Sequence, residues 1–78
     1  MNTEDRRQRG TLEKGQLWQI EHGYLYIVER GERLVQYKML NQPEQQAAAL
    51  RVISIDALAI YLRHNEAQLV RERNAFAA

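Results

Sequence analysis

The sequence predicts an α+β domain: an antiparallel meander of three to four strands with one C-terminal helix. Three observations carry this. Gly15, Gly23 and Gly31 fall eight residues apart, and the runs between them are rich in Val, Ile, Tyr and Leu. Pro43 then interrupts the pattern, because proline cannot donate to a sheet ladder. Finally, Ser54 precedes Ile55, Leu58 and Leu62, which recur at helical spacing.

Strand one is expected over Gln16–Glu21, followed by a two-residue turn at His22-Gly23, where glycine tolerates the positive φ of a tight hairpin. Strand two runs from Tyr24 to Val28 or Glu29, and strand three from Arg33 to Leu40. With His22-Gly23 as the loop, Ile20 opposes Leu25 and Trp18 opposes Ile27. These four then share one face, since successive strand residues point to opposite sides.

The turn near Gly31 decides what joins them. A two-residue loop at Arg30-Gly31 would set Glu29 against Glu32 and bring Gln36 to the core face. A three-residue loop, Glu29–Gly31 or Arg30–Glu32, adds Val35, Tyr37 and Met39 instead, so an odd loop is preferred. Its first form places Gly31 at a left-handed bulge position. The opposite face then carries Leu17, Gln19, Glu21, Tyr24, Tyr26, Val28, Leu34, Gln36, Lys38 and Leu40. A strongly bent sheet of this kind would become a small SH3-like barrel with a helix appended.

The stretch 41–49, rich in Gln and Ala, forms either a loop or a short helix opened by Pro43. Leu50–Ile53 is short and apolar and is assigned as strand four. Ser54 caps the helix, and Asp56 lies in its first turn, where the dipole favours an anion. His64-Asn65 ends it, with Asn65 suited to a left-handed conformation, or the helix continues to Leu69. A break is preferred, with Ala67–Val70 packing back as a tail. The domain is thus expected over 11–70, between a disordered arm at 1–10 and a frayed tail at 71–78.

A chain of 78 residues forms one small domain, which buries only about 60% of its unfolded surface. Cysteine is absent, so neither a disulfide nor a Cys-rich zinc site is available. Association with another chain is the remaining source of added stability. Eleven basic and ten acidic residues leave a formal charge of +1, too little to draw the whole molecule to nucleic acid or membrane. The longest apolar run, Ala57–Leu62, is far shorter than the ~20 residues of a bilayer span. The N-terminus shows no apolar segment of the kind that targets export, and a cytoplasmic location is expected.

Nothing in the sequence points to catalysis. His22 belongs to a turn and His64 to a helix end, neither with a reason to occupy a water-excluding pocket. The glycines are spaced for hairpins and not for a phosphate loop. Ser54, the only serine, is explained by capping. No catalytic, cofactor-binding or metal-ligating residue is assigned, and no cofactor is implied.

Two binding functions fit better. One helix covers one face of a sheet, so the other face keeps Leu17, Tyr24, Tyr26, Val28 and Leu34 for contact with a protein. Contiguous exposed apolar residues mark such sites, and a homodimer would also stabilise a small domain. The expected function is therefore a non-enzymatic interaction or adaptor module that self-associates. The alternative is single-stranded nucleic acid, with bases stacked on Tyr24 and Tyr26 and phosphates met by Lys38, Arg6, Arg7 and Arg9. Glu21 and Glu29 nearby oppose it.

Overall fold

Glu21 and His22 turn the chain from β1 (Leu17–Ile20) into β2 (Gly23–Arg30). The computed structural model describes residues 12–71; the arm with Arg6, Arg7 and Arg9 lies outside them, as do residues 72–78. Ile20 pairs with Gly23 and Trp18 with Leu25. The turn is one residue earlier than His22-Gly23, and the register differs from the expected one by two. An even shift leaves every side chain on its assigned face. Trp18, Leu25 and Ile27 are accordingly buried together. Gly23 is required by crowding: a Cβ there would lie 2.5 Å from the Leu40 carbonyl oxygen of the adjoining strand.

β2 pairs with β3 (Leu34–Leu40), and the face assignment survives for a reason the sequence did not show. From Tyr24↔Leu40 to Ile27↔Tyr37 the register is regular, and it shifts by one between Ile27 and Glu29 before resuming as Glu29↔Gln36 and Arg30↔Val35. Val28 is the extra residue, a β-bulge. At the tip, Gly31 N–H donates to the Leu34 carbonyl at 2.8 Å, leaving Glu32 and Arg33 as the loop. The loop is even where an odd one was expected, and the bulge restores the parity. Val35 is buried and Tyr37 and Met39 pack against the core. Gly31 is not in a left-handed conformation, and a Cβ there would meet only ordinary contact at 3.6 Å.

Residues 41–50 form a loop with no helix. Gln45 organises it: its side-chain oxygen accepts from Asn41 N–H at 2.8 Å and its amide donates to the Ala47 carbonyl at 2.9 Å. β4 (Arg51–Ser54) pairs antiparallel with β3. A fifth strand, β5 (Gln68–Arg71), pairs antiparallel with β1. The segment expected as a packed-back tail is therefore sheet, and Arg71, placed in the frayed tail, is its last residue. Among the described residues the strand order β4-β3-β2-β1-β5 leaves β4 and β5 as free edges, so the sheet is not closed into a barrel.

This order dictates the helix. Four antiparallel pairings make β4 and β5 run in the same direction at opposite edges, so no hairpin can join them and a crossover is needed. Five strands span about 19 Å between the outer two. α1 (Ile55–His64) is about 15 Å long and carries most of that distance. Ser54 caps it by accepting from Ala57 N–H at 3.1 Å, a bond worth about 1 kcal/mol. At the other end, Ala67 N–H donates to the Leu62 carbonyl at 2.9 Å and Glu66 N–H to that of Arg63 at 3.1 Å. This is a Schellman arrangement, with its left-handed residue at Glu66 (φ 51°) and not at Asn65. Asn65 instead bonds the Tyr61 carbonyl through both its backbone N–H and its side-chain amide.

Leu58 and Leu62 of α1 meet Trp18, Leu25, Ile27 and Val35 of the sheet, and Leu12 completes this buried cluster. Each such side chain contributes about 1.5–3 kcal/mol by leaving water. Gln16 is also buried, and its Oε1 accepts from the Trp18 indole N–H at 3.0 Å. Unpaired, that N–H would cost about 1–3 kcal/mol. The two glycines at the hairpins should respond differently to a methyl group. Gly23→Ala is expected to lower stability by about 1–3 kcal/mol. Gly31→Ala should stay within about 0.5 kcal/mol of wild type. Urea midpoints of the two variants compare them directly; equal effects would contradict the close approach at Gly23.

Candidate interaction surface

The face of the sheet away from α1 holds the residues expected to act, but it is not uniform. Leu17 is fully buried and Leu40 nearly so. Leu17 therefore cannot offer contact to a partner, although its parity is as expected. Tyr24, Tyr26 and Val28 are half-buried. Leu34 is open, with 54% of its surface exposed.

Leu34 has a neighbour that was not expected on this surface. It lies opposite Ser54, and Gln36 lies opposite Val52. Leu34 and Val52 are thus diagonal neighbours on one face, about 7–8 Å apart at ordinary sheet spacing. Val52 is 57% exposed, and Leu50, just before β4, 53%. The sequence run Leu50–Ile53 reads as a strand without an inner or outer face. In the fold β4 is an edge, with Ile53 packed against the core and Val52 on the far side. The alternation was available in the residue numbers, but only the pairing with β3 says which parity is outside.

A second set of residues forms a row across the sheet. Register places Arg71 beside Leu17, Leu17 beside Tyr26, and Tyr26 beside Lys38. Tyr24 lies two residues from Tyr26 on the same face. Lys38 Nζ reaches the Gln46 carbonyl at 3.4 Å, which brings the 41–50 loop to this face. The Nε of Arg71 is buried without a hydrogen-bond partner among the described residues. Glu29 is paired by Lys14 at 3.0 Å, an exposed bridge worth little in stability that still neutralises an acid near the tyrosines. Arg71 is the member of this row that sequence reasoning missed, because its strand was not assigned.

The histidines stand apart from both sets. His22 is largely exposed, 3.8 Å from the Glu21 carboxylate. The two line an open cleft of about 220 Å³ together with Tyr61 and Asn65. Ligand pockets generally reach about 300–1,000 Å³ and enclose their contents. Among the described residues no three His, Asp or Glu side chains gather as a metal would need. No described helix is long and apolar enough to cross a membrane. Comparisons with protein-family models, with characterised proteins and with solved structures find no match for this chain. The function must be argued from the surface alone.

The burial of Leu17 distinguishes a core residue from an interface residue. Leu17→Ala should destabilise the isolated domain by about 2–5 kcal/mol. An exposed apolar position would change stability by no more than about 0.5 kcal/mol. Chemical denaturation measured at a concentration where the chain is monomeric makes the comparison.

Proposed function

We propose that this protein is a non-enzymatic interaction module that self-associates through the outer face of its sheet, at the end formed by β3 and β4. The observation that carries the reading is the pair Leu34 and Val52, adjacent on one face and each more than half exposed. Val52 belongs to the edge strand β4 and Leu34 lies beside it; Arg51 is the one charged residue of that strand, which holds no acid, lysine or proline. Natural sheets usually guard an edge with such residues, and a lightly guarded edge with exposed apolar side chains accepts a partner. A second copy is the simplest one, because a small domain gains most from added burial and a two-fold contact closes on itself. Tyr24, Tyr26 and Val28 continue the surface inward and would contribute partly buried rings and methyl groups.

Light scattering of the purified chain should give twice the 9.2 kDa chain mass at micromolar concentration. Leu34→Glu should return it to a single chain, since a carboxylate at the contact would lose its water on association. A monomer at every concentration would overturn the reading.

A second reading has its own observation. Tyr26 stands between Lys38 and the position of Arg71 in one row, with Tyr24 alongside, an arrangement suited to single-stranded nucleic acid. Fluorescence titration with an unstructured oligonucleotide should then show binding that weakens as salt rises. Tyr24→Ala should weaken it by about 1–3 kcal/mol. Absence of binding in low salt removes this reading and leaves the first untouched.

A further inference from the structure

Self-association through β3 and β4 leaves open how two copies meet, and the hydrogen bonds of β4 define a specific answer. Ile55 N–H donates to the Arg33 carbonyl at 2.8 Å, in line with the β3–β4 register. In an antiparallel pair, bonded and non-bonded positions alternate. The bonded positions are therefore Ile55, Ile53 and Arg51. Val52 falls between them, opposite Gln36 at a non-bonded position, so its N–H and carbonyl point away from β3. They face the free edge of the sheet. Among the described residues, Val52 thus presents an open backbone donor, an open backbone acceptor and an exposed side chain at once.

We propose that β4 pairs antiparallel with β4 of a second copy about a two-fold axis at Val52, joining two five-stranded sheets into one. This rests on the self-association argued above and moves its centre to the β4 edge, which leaves Tyr24 and Tyr26 on β2 outside the contact. The second copy fits for three reasons. An edge strand accepts an extended segment, and β4 of another copy is already extended and held by its own β3, so little ordering entropy is lost. The charges are compatible. In this register Val52 exchanges both backbone bonds with its counterpart, and Arg51, the one ionisable side chain of β4, lies opposite the second copy's Ile53. No acid or second cation stands directly across from it. The contact is also continuous with the exposed apolar pair: the two Val52 side chains meet on the outer face, each flanked by its own Leu34. The β5 edge makes a poorer site, since Leu17 and Trp18 beside it are buried, whereas Leu34 beside β4 adds an exposed apolar side chain.

The discriminating substitution is Val52→Pro. It removes the outward N–H and leaves every β3–β4 bond intact, because that N–H does not face β3. Far-UV circular dichroism and the urea midpoint report whether the domain remains folded. Light scattering is expected to show a monomer for Val52→Pro at a concentration where wild type is dimeric. Amide hydrogen exchange of the unmodified chain gives a reading that needs no variant. The Val52 amide should exchange about tenfold more slowly in the dimer than after dilution to monomer. A dimer that Leu34→Glu breaks but Val52→Pro does not would overturn strand pairing and leave self-association through the face standing. So would a wild-type dimer whose Val52 amide exchanges as fast as in the monomer. A wild-type chain that stays monomeric overturns both. Mass that rises without limit would mean open-ended edge pairing, β4 to β5, and would overturn the two-fold arrangement.

Discussion

Side-chain parity along the β2–β3 hairpin is the constraint on which the rest of this structure depends. Trp18, Leu25 and Ile27 can form a core only if β3 presents Val35, Tyr37 and Met39 to the same side. The loop at Glu32-Arg33 is even and would by itself turn β3 over, setting Leu34, Gln36 and Lys38 against the helix. The extra residue at Val28 cancels that inversion. One unpaired backbone position in β2 thus prevents the burial of an amine and an amide without partners, which would cost several kcal/mol. It also keeps Lys38 outside beside Tyr26, whose own side is set by alternation with Leu25 and Ile27.

A second constraint follows from chain direction. Once β4 lies at one edge and β5 at the other, both running the same way, the connection must cross the sheet. The helix is the segment that crosses, and its apolar stripe closes the core as it does so. Ser54 at its start and the Schellman turn at its end set where β4 stops and β5 begins. The price of this economy is an open sheet. Among the described residues one face is covered by the helix, and β4 and β5 are each paired on one side only. The β4 edge is the more hospitable of the two, because Val52 and its neighbour Leu34 are both exposed, whereas Leu17 beside β5 is buried.

The two binding readings overlap at Tyr24 and Tyr26 and differ in where they are centred on one face. The apolar end at Leu34 and Val52 belongs to β3 and β4, and the row of Arg71, Tyr26 and Lys38 lies across β5 to β3. Fold does not choose between them. The favoured reading draws on an edge with exposed apolar side chains at Leu34 and Val52 and one charged residue, a signal of association in sheet proteins. The row offers two cations and aromatic rings on a chain with almost no net charge, which is a weaker source of attraction.

Local chemistry made much of the fold readable in the residues. Gly and Pro marked the interruptions, Ser54 the helix start, and alternation the two faces of β1, β2 and β3. A one-residue error in the first turn did no harm, because it shifts the register by two and strand periodicity is blind to even shifts. The segment after the helix was harder. Gln68–Arg71 has four residues and no flanking turn glycine, and it becomes a strand only because β1 offers it an open side. Leu17 shows the same limit, since parity put it on the outer face and tertiary packing buried it. Sequence by itself determined the class of fold, the core face of the meander and the position of the helix, all of which follow from backbone preference and short-range periodicity. Only the tertiary structure decided how parity was kept, where the edges lie and which apolar residues remain exposed. These depend on pairings between segments far apart in the chain, and no local pattern encodes them.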